Sequence, residues 1–318
     1  MKHFLTENDF DRDEIIEIFE QASHCKKNRV ERPSSHLAGQ SWGMLFYKNS
    51  TRTRISFEVG IREQGGNPIV LDQSSTQIGR GESIKDTARV LSRYLDGLII
   101  RTHGHDIIEE FARQSSIPVV NALTDFLHPC QIYADCMTIL EKTGGGQNPF
   151  DGLQGKKLAF FGDTSCNMAN SWILAGALFG IEIHLAGPSE FQPQQQIQTF
   201  CKENGLKRTW DFTTDPMEAA NEADVIYTDV WVSMGCEDQE QERIQKMTPF
   251  RVDSDVLSQA KENCLFMHCM PAHPGEEVTQ EVLDSPKGIL FDQAENRLHM
   301  QKSILRAVCS QSINHTSS

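Results

Sequence analysis

The stretch SWGMLFYKNSTRTRISFEVGIREQGG, Ser41 to Gly66, carries one complete structural repeat of the chain. An apolar run, Trp42 to Phe46, has strand length. A polar turn follows, Asn49-Ser50 supplies helix-capping residue types, and Thr51 to Gln64 then has helical periodicity until Gly65 and Gly66 stop it. Pro68 to Leu71 begins another strand-like run. Strand, helix, strand is a βαβ unit, and such units build parallel sheets.

The same alternation recurs on both sides of this stretch. An opening helix spans Asp11 to Lys26 with Ile15, Ile18, Phe19 and Ala22 on its apolar face. Strands are expected at Leu98 to Ile100 and Ile117 to Val120, and helices at Ser83 to Leu95 and His105 to Arg113. A helix from Pro129 to about Lys142 runs into Gly144-Gly145-Gly146-Gln147-Asn148-Pro149, a composition that marks a boundary. The second half predicts strands at Lys157 to Phe161, Ile181 to Ala186, Val225 to Thr228, Leu265 to His268 and Ile289 to Phe291, and a last helix from about Ala294 to Cys309. The expected fold is α/β, with two doubly wound parallel-sheet domains, residues 1–143 and 150–293, and a C-terminal helix, 294–318, packing back on the first. Ligands of such sheets bind outside the carboxyl ends of the strands, which places the active site in the interdomain cleft.

The 318 residues carry 30 Lys and Arg against 44 Asp and Glu, a formal charge of -14 that repels polyanions. Nucleic acid and anionic membrane are poor partners for such a field. No apolar run is long enough to span a bilayer and the start has no leader pattern, so a cytoplasmic protein is expected. The nine Cys are odd in number and irregularly spaced, which reads as reduced thiols.

The chemistry starts at Ser50-Thr51-Arg52-Thr53-Arg54. Two Arg in a helix's first turn oppose the helix dipole, and become favourable when an anion docks on the free N–H groups, hydroxyls and guanidinium. The alternative is an ordinary cap followed by solvated Arg. His128-Pro129-Cys130-Gln131 offers two polar side chains one turn apart with Pro at the first helical position, or else a capping His and a solvated Gln. Arg101 follows an apolar strand, which alone means little.

Together these segments resemble the aspartate and ornithine carbamoyltransferase family, with motifs in family order from Ser50 to Arg297. The resemblance implies that Ser50, Thr51, Arg52, Thr53, Gln77, Arg101, His128, Gln131 and Arg297 bind carbamoyl phosphate. Asp229-Val230-Trp231-Val232-Ser233-Met234-Gly235 and His268-Cys269-Met270-Pro271 are similar to the ornithine branch, implying that Asn167, Asp229, Ser233, Met234, Cys269 and Met270 bind ornithine. An aspartate site would need cations here, whereas Asp229 suits an amino group. The family usually has Leu at Met270 and often Asn at Cys166. Thr53, Arg101, His128, Asp229 and Cys269 become the catalytic candidates. Taken without the motif, Cys269 reads more readily as a small buried hydrophobe than as a reacting group.

The implied reaction moves the carbamoyl group of carbamoyl phosphate to the side-chain amine of L-ornithine, giving L-citrulline and phosphate in arginine metabolism. The nearest alternative acceptors are putrescine and N-acetylornithine. An amine with a pKa near 10.4 must lose a proton first, at a cost of about 4.6 kcal/mol at pH 7. Asp229 favours the charged amine, which assigns it to positioning. The resemblance implies no cofactor, no metal, and a homotrimer or a multiple of trimers in which Gln77, in the polar segment Asp72 to Glu82, reaches a neighbouring subunit's site. His103, His105, His268, Cys269 and His273 lack structural-zinc spacing. A nicotinamide enzyme is disfavoured because Phe160-Phe161-Gly162-Asp163 lacks the Gly-x-Gly-x-x-Gly turn. A non-catalytic binding protein is disfavoured by the cost of keeping several Arg together without an anion.

Overall fold

A computed structural model describes residues 2–29, 34–48, 50–72, 81–232 and 240–310. The chain divides into two compact units, Met1–Met137 with Glu295–Ser318, and Thr138–Ala294.

In the first unit, β1 (Ser41–Phe46), β2 (Asn67–Asp72), β3 (Gly97–Arg101) and β4 (Val119–Leu123) form a sheet in the order β2-β1-β3-β4. Every pairing is parallel. β3 is buried throughout and β1 from Trp42 onward, as expected for a sheet covered on both faces. The helix Thr51–Glu63 buries Thr53, Phe57, Gly60 and Ile61. The helix Arg12–Lys27 carries a full capping box, Asp11 with Glu14, and buries the four residues its periodicity singles out. The C-terminal helix, Leu290–Ser310, is tied here by Ser303 to the Ile18 carbonyl at 2.7 Å and by Lys302 to Glu63 at 2.9 Å.

In the second unit, β5 (Lys157–Phe161), β6 (Glu182–Ala186), β7 (Trp210–Thr213), β8 (Val225–Thr228) and β9 (Leu265–His268) run in the order β7-β6-β5-β8-β9, again all parallel. Its core holds Ala159, Phe161, Ile226, Phe250, Val256, Phe266 and Val282. In both sheets the order of strands reverses beside the first strand of the unit. The connections diverge at the carboxyl ends there, which is where such sheets hold ligands.

One expectation needs correction. Ile289 to Phe291 is not a strand: Gly288 makes only an isolated bridge to Phe266, Ile289 N–H donates to the Phe266 carbonyl at 3.1 Å, and the helix starts at Leu290. The apolar run is too short to extend the sheet, and Phe291 is 82% exposed. β7 escapes the periodicity because it is a half-buried edge strand beside Lys207 and Arg208. Among the described residues, no helix is long and apolar enough to cross a membrane.

Candidate active site

In the first unit the candidate residues leave the carboxyl ends of β1, β3 and β4, three adjacent strands. After β1, the Ser50 hydroxyl caps the helix by accepting from Thr53 N–H at 3.3 Å, and no acidic residue stands in the first turn. Thr51 and Arg54 are exposed, Arg52 is half-buried and Thr53 is fully buried. Arg101 ends β3 at a register shift against β4 and is buried. After β4, His128 and Gln131 are buried at the start of the helix Pro129–Thr143.

Arg297, from the C-terminal helix, is buried and donates through Nη2 to Thr53 Oγ1 at 2.6 Å. It is thus brought to the Ser50–Arg54 turn from 244 residues away. Burial, and then the positive charges of Arg297 and Arg101, hold the His128 imidazole well below its usual pKa. His128 is therefore a neutral ring facing two guanidinium groups, able to donate one hydrogen bond without adding charge. This collection of donors in a dry setting suits a small, highly charged oxyanion. Gln77 lies outside the described residues.

In the second unit the candidates leave β5, β8 and β9, again three neighbours in the sheet. Gly162, just past β5, has φ +106, and a Cβ there would stand 2.8 Å from Trp231 Nε1, so only glycine fits. Asp163 accepts from Ser165 N–H at 2.9 Å and pairs with the buried Arg243. Asn167 opens the helix Asn167–Phe179, whose cap, Cys166, makes no side-chain capping bond. Burial and the charges of Asp163 and Asp229 push the Cys166 thiol well above its usual range. It is an inert neutral group where the family often has an amide.

Asp229 follows β8, and Cys269 follows β9. The Cys269 thiol donates to Asp229 Oδ1 at 2.9 Å, and Val230 N–H donates to the same oxygen at 2.8 Å. Burial raises the Asp229 pKa, against opposing pulls from His268 and from those two hydrogen bonds. His268 Nδ1 accepts from Met270 N–H at 2.8 Å, which leaves Nε2 to carry the proton toward Glu277 Oε1 at 3.2 Å. Met270 sits at φ +59, a conformation that non-glycine residues adopt at a cost, as at functional turns. Ser233 and Met234 lie outside the described residues.

The ligand atoms of Asp229, His268 and Cys269 lie within 4.8 Å of one another, as do those of His273, Glu276 and Glu277. The hydrogen bonds just described already use both His268 nitrogens and the Asp229–Cys269 contact. Three residues not singled out by the sequence motifs belong to these networks: Arg243, which also donates to the Trp231 carbonyl at 2.9 Å, Glu277, and Asp135, which accepts from Gln131. Glu277 stands nine residues past His268, in a Gly-Glu-Glu turn that carries no chemical signal by itself.

The family model for the carbamoyl-phosphate-binding domain of the aspartate/ornithine carbamoyltransferases matches residues 2–141, and that for their aspartate/ornithine-binding domain matches residues 154–308. The chain is 47% identical over 305 residues to the ornithine carbamoyltransferase of Methanoculleus marisnigri, covering 96% of each chain. It is 43% identical over 309 residues to that of Geobacter sulfurreducens, covering 97% of this chain and 99% of the relative. The solved ornithine carbamoyltransferase of Pyrococcus furiosus superposes with a TM-score of 0.88 at 41% identity, covering 97% of each chain. The chain belongs to the aspartate/ornithine carbamoyltransferase family.

Proposed function

We propose that this protein transfers the carbamoyl group of carbamoyl phosphate to the side-chain amine of L-ornithine, giving L-citrulline and phosphate. The observation that carries the reading is the buried set of Arg101, Arg297, Thr53 and neutral His128, collected from separate parts of the chain. In this reading Ser50, Thr51, Arg52 and Arg297 hold the phosphate, Gln131 holds the carbamoyl amide, and Thr53, Arg101 and His128 meet the carbonyl oxygen. As the neutral amine nitrogen attacks, a C–N bond forms and the carbonyl oxygen gains negative charge; the carbonyl then re-forms as the C–O bond to phosphate breaks, and the proton lost by the attacking nitrogen leaves with the phosphate. Donors fixed before the reaction stabilise that charge without reorganising.

Asp229 holds the amino-acid end of ornithine, with Asn167, Ser233, Met234 and Met270 around it. Cys269 stands at the reacting amine, where its thiol bond to Asp229 links the two ends of the acceptor site. Met270 in place of Leu conserves apolar volume. Citrulline formation by the purified protein from these two substrates tests the reading. Phosphate release without citrulline overturns it.

The assembly in this reading is a homotrimer, or a multiple of trimers, with Gln77 contributed to a neighbour's site. Supporting it, Ile55, Ile69, Val90 and Tyr94 of the first unit are exposed large apolar residues, a kind of surface that association covers. Gln77→Ala and Arg52→Ala are each expected to be nearly inactive. Co-assembled from dissociated subunits, they regain partial activity, because some interfaces pair an intact Arg52 with an intact Gln77. Mixed oligomers that stay at the parental level, or a fully active Gln77→Ala, rule out the shared site.

A further inference from the structure

Gln131 lies one helical turn past His128, and Asp135 one turn past Gln131, on the helix Pro129–Thr143. Gln131 Nε2 donates to Asp135 Oδ1 at 2.8 Å. Both residues are buried, at 1% and 0% exposure. The other end of the Gln131 amide, Oε1, is also buried and has no hydrogen-bond partner among the described residues.

A glutamine amide has a donor end and an acceptor end of nearly the same shape, so its environment decides which way it points. A carboxylate accepts and does not donate. The Asp135 bond therefore directs the NH2 of Gln131 toward Asp135 and its carbonyl oxygen away from it. The nearby charged groups Arg101 and Arg297 are donors only. Carbamoyl phosphate offers acceptors on its carbonyl and phosphoryl oxygens, and a single donor group, its NH2. A site made of donors alone would leave that NH2 unmatched.

We propose that Asp135 is a positioning residue that fixes the Gln131 amide, so that the Gln131 carbonyl oxygen accepts from the carbamoyl NH2 and the site selects carbamoyl phosphate over acyl phosphates lacking that donor. The inference rests on the assignment of Gln131 to the carbamoyl group. Acetyl phosphate is the informative probe: it keeps the phosphate and the carbonyl but carries CH3 where carbamoyl phosphate carries NH2. Sites built around a substrate's N–H discriminate strongly against analogues without it, because a buried polar group is then left unpaired.

Asp135→Asn replaces the acceptor-only carboxylate by an amide that can donate to Gln131 Oε1, allowing Gln131 to turn its NH2 outward. The expected result is a fall in kcat/KM for carbamoyl phosphate of about tenfold to a hundredfold, as for a buried donor facing a donor. Inhibition by acetyl phosphate should change by less than about threefold, since CH3 takes no hydrogen bond. The double variant Asp135→Asn with Gln131→Glu should recover most of the loss. The carboxylate introduced at position 131 accepts with one oxygen from the amide introduced at position 135, and offers its other oxygen as an acceptor.

Equal weakening toward both phosphates in Asp135→Asn would show a role in packing alone and overturn the proposal. So would unchanged kinetics in that variant when Gln131→Ala is impaired. Unchanged kinetics in Gln131→Ala would remove Gln131 from the site, overturning the underlying assignment as well. If Asp135→Asn does not fold, the double variant decides: wild-type preference for carbamoyl over acetyl phosphate supports the proposal, and loss of that preference refutes it.

Discussion

Arg101→Ala is expected to keep the fold and lose at least about a hundredfold in turnover, which corresponds to about 2.7 kcal/mol of transition-state stabilisation. One backbone tie at this position survives the substitution: the Arg101 carbonyl accepts from Tyr47 N–H at 2.9 Å, beside the β1–β3 pairing. The side chain instead sets the electrostatics of the site, as its charge is one of two that hold His128 neutral after burial. Because oxyanion charge develops only as the amine attacks, kcat and kcat/KM should fall together. Arg101→Lys should not rescue fully, since an ammonium lacks the planar fork. Arg113→Ala, at a highly exposed side chain paired with Glu110 on the helix His105–Gln114, serves as the control and should leave the kinetics unchanged. Near-normal turnover in Arg101→Ala would remove that residue from the oxyanion role.

The second large effect concerns Cys269. Its thiol is one of the groups that draw the Asp229 pKa down against the raising effect of burial. Cys269→Ala removes that hydrogen bond, so the Asp229 pKa rises further. If Asp229 holds an ammonium group it must be ionised, and activity is then expected to fall as pH drops through its pKa. The acid limb of kcat/KM for ornithine should therefore move to higher pH, and turnover should fall as well. Cys130→Ala provides the contrast. That thiol is buried, is pushed far up by desolvation, and donates to the Asn121 carbonyl at 3.3 Å, so its removal should cost stability and leave the pH profile in place. An unchanged profile in Cys269→Ala would return Cys269 to a packing role.

The parts of this protein legible in its sequence are those written in local pattern. The strands Lys157–Phe161, Val225–Thr228 and Leu265–His268 have the limits that periodicity gives them, because each is a fully apolar or nearly apolar run with polar neighbours. The edge strand Trp210–Thr213 lacks that contrast. The Ser50–Arg54 turn is readable because its charges oppose the helix dipole, a local conflict that points to a ligand. Partnerships across the chain are not readable. Arg243 meets Asp163 across 80 residues, and Lys302 meets Glu63 across 239. Asp135 is four residues from Gln131, yet a lone Asp on a helix has the same pattern whether it is solvated or buried. Only packing separates the two.

On the proposed assignment, Asp229 and Cys269 of the second unit serve an amino-acid acceptor with a side-chain amine. Steady-state carbamoyl transfer with ornithine, aspartate, putrescine and N-acetylornithine offered in parallel at saturating carbamoyl phosphate decides this. The kcat/KM for ornithine is expected to exceed each of the others by at least about a hundredfold, the scale of losing one charged hydrogen-bonding partner. Putrescine lacks the α-carboxylate, N-acetylornithine lacks the charged α-amine, and aspartate brings a second carboxylate toward Asp229. A comparable or higher kcat/KM for any of the three would contradict the claim.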